Sequence, residues 1–233
     1  MAINIQGMVV NVNNVKFNYQ PPADKGLDIL YGDDALLVVN KPSGLLSVPG
    51  RGEDKQDCLI SRVQMAFPDA LIVHRLDMET SGLMVLARDK ITHRQLSGLF
   101  QQREVQKHYV AVVDGVLKEA TGSIDLPLIC DWPNRPRQKV DHQQGKPSRT
   151  RFTVLGPGVD AYSTRVELIP ETGRSHQLRV HMQSLGHAIL GDRFYASEQA
   201  RAKSSRLLLH AVSLAFVHPL SAEPLQFVSE AAF

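Results

Sequence analysis

The carboxylate best placed for chemistry lies in the stretch LIVHRLDMETSGLM, residues 71–84. An apolar run leads to Asp77, and the Thr80–Gly82 segment separates it from a second apolar run. Asp77 therefore stands where a predicted strand gives way to a turn. Catalytic groups are often found in loops that flanking strands hold in place. An aspartate before Thr-Ser-Gly is also a common turn former, so the local pattern supports both a catalytic and a structural interpretation.

Other reactive arrangements have less support from their surroundings. A hydrolase triad could be assembled from Ser81, His74 and Asp77, but no GxSxG elbow surrounds the serine. The stretch SGLLSVPG, residues 43–50, lacks the Lys-Ser/Thr ending of a phosphate-binding loop. The sequence therefore gives little support for nucleotide hydrolysis.

Two residues far from Asp77 in sequence could act with it. Arg174 precedes a predicted helix, where the positive end of the helix dipole disfavours a cation. This placement suggests an anionic partner, either a carboxylate such as Asp77 or a phosphate, although solvent exposure would also explain it. Tyr109 stands near the start of a predicted strand, where tyrosine is most often a packing residue.

The elements that must position these residues are mainly hairpin strands. Residues 27–44 contain two strand-like runs joined by Gly-Asp-Asp, which is turn chemistry. Apolar spacing and capping residues predict helices within residues 55–67 (N-cap Asp57), 89–102 (N-cap Asp89), 175–185 (N-cap Ser175) and 197–203. Hairpins outnumber βαβ repeats, so we expect an α+β fold with a mixed, largely antiparallel central sheet flanked by helices and loops.

Composition places the chain among ordinary globular proteins. It has 233 residues, of which 43% are hydrophobic and 21% charged, enough for a substantial core. No apolar run approaches the roughly 18 residues of a transmembrane helix, and the N-terminus lacks the features of a signal peptide. We therefore expect a cytoplasmic protein without membrane contact.

The spacing of cysteines and histidines does not indicate a metal site. Cys58 and Cys130 lack CxxC spacing, so reduced thiols are expected. His176 and His181 are five residues apart, which does not match the i, i+4 spacing of two ligands on one helical face. Neither a metal nor a cofactor is predicted.

The chain divides into a short arm and one large unit. Residues 1–25 are interpreted as a poorly anchored N-terminal arm, with an apolar-alternating piece at Met8–Phe17 that could form a short strand. A Pro-containing linker follows, and residues 26–233 are expected to form a single domain. The arm is too short to be a separate domain.

Positive charge is concentrated in one window. The formal net charge is only +2, yet six basic residues and two acids lie between Asp131 and Arg151. The basic residues are Arg135, Arg137, Lys139, Lys146, Arg149 and Arg151. Such a window could contact a polyanion, or it could be a solvated charged loop.

Five ordered stretches resemble the RluA family of pseudouridine synthases, and the likeness runs from about Gly26 to the C-terminus. They are NKPSGL (40–45), HRLDMETSGLMVLARD (74–89), KHYVAVVDG (107–115), TGRSHQLRVHMQSLGHAILGDRFY (172–195) and RLLLHA (206–211). DLPLICDWPNRP (125–136) is similar to the branch that acts on both rRNA and tRNA. The resemblance implies a pseudouridine synthase catalytic fold and isomerisation of uridine in 23S rRNA and tRNA anticodon stem-loops. We expect a monomer that needs no cofactor.

The resemblance also implies catalytic roles. Asp77 would act as a nucleophile or as a base at the sugar. Arg174 would pair with Asp77 and hold it oriented. Tyr109 would stack on the target base and is a candidate for removing the carbon 5 proton, although an ordinary phenol, with a pKa of about 10, is a poor base at neutral pH.

Further residues are implied in substrate binding. Arg75 could fill the space left by a flipped uridine or could form a salt bridge instead. Thr80 would shape the turn that presents Asp77. Leu208 lies in a hydrophobic motif, Leu207–Leu209, that could line the uracil site, although core packing is the alternative for at least two of the three. Arg135, Arg137 and Lys139 would contact RNA phosphates.

Two other functions agree with parts of this pattern. One is a non-catalytic RNA-binding or ribosome-assembly protein, against which the intact set of Asp77, Tyr109 and Arg174 argues. The other is a glycoside or nucleoside hydrolase, which usually needs two cooperating carboxylates. RNA isomerisation is the function that these residues favour.

Overall fold

A computed structural model describes residues 19–233 and confirms the expected fold class. Ten of the described strands form one mixed sheet. Only one pair of neighbouring strands among them, Ser81–Ala87 and Leu209–Val217, is parallel. The strand predicted within Met8–Phe17 lies outside the described residues.

The strands and helices have the following bounds. The strands are β1 (Ile29–Gly32), β2 (Leu36–Lys41), β3 (Leu71–Ile72), β4 (Ser81–Ala87), β5 (Gln106–Asp114), β6 (Thr121–Asp125), β7 (Leu128–Cys130), β8 (Gln138–Val140), β9 (Arg149–Pro157), β10 (Ser163–Pro170), β11 (Leu209–Val217) and β12 (Pro224–Val228). The main order in the ten-stranded sheet is β1-β2-β4-β11-β5-β10-β9-β6, in which β3 pairs with β4 and β12 with β11. The α-helices are α1 (Leu59–Ala66), α2 (Lys90–Gln102), α3 (Gln177–Ser184) and α4 (Glu198–Ala202). None of the helices in residues 19–233 is long and apolar enough to cross a membrane.

The predicted helix starts are partly correct. The Asp89 carboxylate accepts hydrogen bonds from the first turn of α2, as expected, and Ser197, at the start of the predicted short helix, caps α4. The prediction of Ser175 as a cap is wrong, because α3 begins at Gln177 and His176 is its N-cap. The prediction for Asp57 is wrong: Cys58 is the N-cap of α1, because Asp57 is bound to Arg62 through two hydrogen bonds of 2.7 and 2.8 Å.

Strand β4 directs the chain away from Asp77 into the middle of the sheet. All seven of its residues are buried, which suits a central strand covered on both faces. At its second residue, Gly82, φ is 116°, and a Cβ there would lie 2.4 Å from the backbone oxygen of Ala211. Only glycine permits this close approach of β4 to β11. The turn that carries Asp77 is therefore anchored against a neighbouring strand.

Two apolar cores meet near the site. One lies around β5, β10 and α3, and the other around β2, β4 and α1. Tyr109 on β5 packs against both of them. The junction between the two cores thus holds the aromatic side chain that the sequence associates with Asp77.

The basic window is not one loop. Strands β7 and β8 form a separate two-stranded sheet, connected through a 3-10 turn at Trp132–Asn134. We call residues 128–140 the hairpin. The end of the window belongs instead to β9, where Arg149 and Arg151 lie 3.7 and 3.1 Å from the carboxylate of Glu171. Part of the positive charge is therefore compensated within the fold.

Part of the N-terminal arm is packed against the domain. The Tyr19 side chain is buried, and its hydroxyl accepts from Leu46 N and donates to Asp57 O, both at 3.0 Å. The carbonyl of Pro22 accepts a 2.7 Å hydrogen bond from Arg62. These contacts attach the described end of the arm to α1 and the segment before it.

Candidate active site

A cleft with a volume of about 1630 Å³ contains Asp77. Nine of its lining residues are arginine or lysine and three are aspartate or glutamate, an excess of six positive charges. The basic residues are Arg51, Lys55, Arg75, Arg103, Lys107, Arg135, Arg174, Arg179 and Arg193. The whole chain carries a formal charge of only +2, so the fold concentrates positive charge around the candidate carboxylate. Such a lining favours a polyanionic ligand.

Asp77 is held in a turn but remains accessible. Its backbone carbonyl accepts a 3.1 Å hydrogen bond from Thr80 N. Its side chain is 27% exposed, and Oδ2 accepts a 3.2 Å hydrogen bond from Arg179 Nη1. The other oxygen, Oδ1, has no hydrogen-bond partner within residues 19–233. That oxygen is free to meet a substrate.

The expected pairing of Arg174 with Asp77 is wrong, because Arg179 occupies that place. Helix α3 starts at Gln177, and its first turn carries the Arg179 side chain into the interior, where it is 2% exposed. Arg174 lies before the helix, is exposed, and donates to Pro147 O at 3.3 Å. It lines the cleft as a basic surface residue.

Asp192 fixes the orientation of Arg179. The Asp192 carboxylate is fully buried and accepts from Arg179 Nε and Nη2, each at 2.8 Å. Asp192 Oδ1 also accepts from the backbone N–H groups of Phe194 and Tyr195. A bidentate arginine–carboxylate pair defines the plane of the guanidinium, so the third nitrogen, Nη1, is aimed at Asp77.

The charges around Arg179 keep it protonated. Burial alone would lower its pKa, but the hydrogen bond and charge of Asp192, together with the charge of Asp77, raise the pKa above its ordinary value. A permanently charged group therefore faces the candidate carboxylate.

Tyr109 lines the same cleft as Asp77. Burial, with a further contribution from the negative charge of Asp77, raises the pKa of the Tyr109 phenol well above its ordinary value. In the RNA-free protein the phenolate is therefore disfavoured, which weakens the expectation that Tyr109 removes a proton as a base. A neutral aromatic surface beside Asp77 suits base stacking instead.

The comparisons with known proteins agree with this geometry. A family model described as RNA pseudouridylate synthase matches residues 35–184. The chain belongs to the RNA pseudouridylate synthase family. The enzyme named dual-specificity RNA pseudouridine synthase RluA from Escherichia coli (strain K12) is 55% identical over 216 residues, covering 93% of this chain and 98% of that protein. The protein of the same name from Pasteurella multocida (strain Pm70) is 52% identical, with the same coverage.

A solved structure supports the same assignment. Human RNA Pseudouridylate Synthase Domain Containing 1 superposes with a TM-score of 0.75 and 31% sequence identity, covering 91% of this chain and 86% of that one. The predictions of a pseudouridine synthase fold and of an RNA uridine isomerase are confirmed by this family membership.

The residues expected to bind substrate in this pseudouridine synthase lie in different environments. Arg75 is exposed at the cleft and forms no salt bridge within residues 19–233, so its salt-bridge alternative finds no support. Thr80 is buried under the Asp77 turn and also lines the cleft. Leu208 is buried in the core away from the cleft, and its neighbour Leu209 lines the cleft instead. The expectation that Leu208 lines the uracil site therefore finds no support in the lining of this cleft.

The three basic hairpin residues also differ. The Arg135 guanidinium lies 4.3 Å from the centre of the Trp132 ring, and both residues line the cleft. Arg137 donates to the backbone oxygen of Phe194. Lys139 is exposed outside the lining, with its Nζ 3.9 Å from Asp141. Only Arg135 among the three directly borders the cleft.

Several supporting residues were not predicted from the sequence. These residues include Arg179 and Asp192. The sequence signal for them is an arginine within the stretch QLRVHM, which is buried, because a buried charge needs a partner. Lys41 is fully buried, and its Nζ donates to the carbonyls of Pro42, Leu45 and Met78 at 2.7 to 3.0 Å. Burial lowers the pKa of Lys41 to about 7. Because Met78 follows Asp77 directly, this lysine helps to hold the turn that carries Asp77.

Proposed function

We propose that this enzyme isomerises specific uridines to pseudouridine in stem-loops of both 23S rRNA and tRNA anticodon arms, with Asp77 as the group that acts on the nucleotide. The observation that carries the proposal is the accessible Asp77 carboxylate, held by the charged Arg179 within a basic cleft. The relatives named dual-specificity RNA pseudouridine synthase support two classes of RNA substrate.

The reaction places limited demands on the site. The bond from uracil N1 to the sugar C1′ breaks, the base rotates, and a bond forms from C5 to C1′. The C5 proton leaves and N1 takes up a proton, so the product is an isomer of the substrate. No electrons are gained or lost overall. A carboxylate can begin the reaction either by attacking C1′ or by removing a sugar proton. Both routes use an accessible oxygen, and Asp77 Oδ1 is free of hydrogen bonds in the described part of the chain.

Arg179 and Tyr109 complete the proposed site. Arg179 holds Oδ2 and keeps the carboxylate turned toward the cleft. Tyr109, as a neutral phenol, provides a flat surface for the uracil ring, next to Leu209. The target uridine must leave its stack to reach them, at a cost of a few kcal/mol that contacts elsewhere must offset. Arg75 is placed to occupy the vacated position.

The two rims of the cleft would receive the rest of the RNA. Arg135 and Trp132 of the hairpin form one rim, and Lys107 and Arg103 lie on the cleft wall near Phe100. Arginine and lysine contact phosphates, and exposed aromatic rings stack on unpaired bases. In this proposal residues 26–233 form one catalytic domain, which acts as a monomer in the cytoplasm.

Release of tritium from RNA labelled at uridine C5 tests the proposal. The assay uses the full chain with a 23S rRNA fragment and a tRNA, each carrying its natural stem-loops. Release from both RNAs, absent after Asp77→Asn, is the expected result. Release from only one RNA would refute dual specificity. Tight binding without release would support a non-catalytic RNA-binding protein, and free uracil as the product would support a hydrolase.

A further inference from the structure

His176 adopts an unusual backbone conformation beside the catalytic carboxylate. It is the N-cap of α3, with φ 53° and ψ 18°, in the left-handed region that residues with a Cβ seldom occupy. Its side chain is 11% exposed and lines the cleft. Strained backbone of this kind persists where the surroundings fix it, and it is concentrated at functional sites. The contacts of the imidazole ring are therefore informative.

Two aromatic residues hold the His176 ring. The ring is nearly parallel to that of Phe194, with centroids 5.8 Å apart and an interplanar angle of 14°. The Tyr195 hydroxyl lies 2.7 Å from His176 Nδ1. Both residues belong to the segment after Asp192, whose carboxylate accepts from their backbone N–H groups. The same segment therefore orients both Arg179 and His176.

The hydrogen bonds around His176 favour a ring that carries its proton on Nε2. The backbone N–H of Gln138 donates to the Tyr195 oxygen at 2.8 Å, so the tyrosine hydrogen is available for His176 Nδ1. Burial lowers the pKa of His176, opposed by the negative charge of Asp77, which favours a neutral ring. A neutral imidazole that accepts at Nδ1 carries its hydrogen on Nε2. That nitrogen lies 3.9 Å from Asp77 Oδ2.

From this geometry we infer that His176 is a positioning residue for Asp77. Its Nε2–H forms a second hydrogen bond to Oδ2 once RNA fills the cleft. Oδ2 is then held by Arg179 and His176 together, and Oδ1 is the reacting oxygen. The inference rests on the proposed function of Asp77.

The same chain of contacts links RNA binding to the carboxylate. Gln138 belongs to β8 of the hairpin and itself lines the cleft. The series Gln138 N–H, Tyr195 hydroxyl, His176 ring and Asp77 carboxylate joins the proposed RNA rim to the reacting group. An RNA bound to the hairpin at Gln138 therefore acts on Tyr195 and His176 through these contacts. Substrate binding and carboxylate orientation are coupled through these side chains.

Two substitutions at position 176 separate positioning from packing. The His176→Gln variant keeps an N–H donor near the place of Nε2, whereas the shorter amide of His176→Asn reaches only the place of Nδ1. Asparagine tolerates the left-handed backbone, so His176→Asn is the matched control for folding. A third variant, Tyr195→Phe, removes the hydroxyl that selects the tautomer and leaves the backbone at position 176 unchanged.

The measurements are the single-turnover rate of tritium release at saturating RNA and the Kd for RNA, with thermal unfolding as a folding control. We expect His176→Asn to lower the rate by about 10–100-fold, as for other orienting residues, with Kd nearly unchanged. His176→Gln should recover much of that loss, and Tyr195→Phe should lie between them. Equal losses in His176→Gln and His176→Asn, or an effect confined to Kd, would overturn the inference.

A measurement on the RNA-free protein does not depend on turnover. The ¹⁵N chemical shifts of the His176 ring at neutral pH should report a neutral imidazole with its proton on Nε2. A proton on Nδ1, or a charged ring, would contradict the inference directly. Absence of wild-type tritium release would instead contradict the proposed function, so the two failures can be distinguished.

Discussion

The two sides of the Arg179 guanidinium face different environments. On the inner side, Asp192 is fully buried and accepts two hydrogen bonds from Arg179 and two from backbone N–H groups. On the outer side, Asp77 is 27% exposed and accepts one hydrogen bond at 3.2 Å. The same cation therefore binds one carboxylate with full hydrogen-bond satisfaction and another with spare acceptor capacity.

This difference shows how one arginine can serve both structure and chemistry. The inner pair fixes the guanidinium plane at the start of α3, and a rigid guanidinium then fixes the outer carboxylate. The outer carboxylate keeps an unbound oxygen because it lies in an open cleft. In the proposed reaction, the reactive carboxylate is therefore Asp77, the one whose hydrogen-bonding capacity the fold does not fill.

The substitution Asp77→Asn should have the largest effect. It removes the charge that we propose acts on the nucleotide, so we expect loss of turnover of roughly 10⁴-fold or more, as for other essential catalytic groups. The free energy of unfolding should change by about 1 kcal/mol or less, since Asp77 is partly exposed. Single-turnover tritium release and urea unfolding measure the two quantities. Turnover near the wild-type rate would refute the proposed catalytic role of Asp77.

The substitution Asp192→Asn should mainly affect stability. It leaves the buried charge of Arg179 without its bidentate partner, which costs about 3–5 kcal/mol when a buried ion pair is broken. A lower urea midpoint at an unchanged slope would show this loss, and Asp77→Asn provides the matched control on the same arginine. An unchanged urea midpoint would mean that Asp192 contributes no more to stability than Asp77 does.

The raised pKa of Tyr109 predicts that its phenol ionises only at unusually high pH. Burial and the charge of Asp77 both disfavour the negatively charged phenolate, so Tyr109 should stay neutral at pH 10, where an ordinary tyrosine is half ionised. The ultraviolet difference between wild type and Tyr109→Phe should show no loss of tyrosinate at that pH. A tyrosinate signal from Tyr109 near neutral pH would restore its candidacy as a base.

The smallest effect concerns salt. If Arg135 and Arg137 each contact a phosphate, replacing both by glutamine should reduce the slope of log K against log salt by about 0.7–0.9 per lost contact. The exposed Lys118 lies outside the cleft lining, so Lys118→Gln is the control. An unchanged slope in the double variant would show that these arginines contact solvent and not RNA phosphates. Added salt should weaken RNA binding to the exposed cleft far more than it weakens the Arg179–Asp192 pair, because a buried ion pair is screened much less.

Local sequence patterns predicted the elements well where their causes are local. Asp89 caps α2 because its own carboxylate reaches the first backbone N–H groups of that helix. Hairpin turns and alternating apolar residues predicted a largely antiparallel sheet, as observed. Asp57 failed as a cap because Arg62, one helical turn further on, binds its carboxylate.

The choice between similar neighbours was not local. Arg174 and Arg179 are five residues apart, and the point at which α3 begins decides which of them enters the interior. Leu208 and Leu209 are adjacent, and both are buried, but only Leu209 reaches the cleft. In both pairs the two residues are of the same type, and only their places in the folded chain distinguish them.

The sequence by itself determined the strand-to-turn position of Asp77, the sheet class and the family motifs, because turn residues, apolar alternation and ordered motifs are properties of short segments. Tertiary structure alone decided that Arg179 faces Asp77, that Asp192 anchors Arg179, and that His176 Nε2 points to the same carboxylate. Those relations join residues 102, 13 and 99 positions apart in the chain. Their geometry exists only when the sheet and α3 pack together.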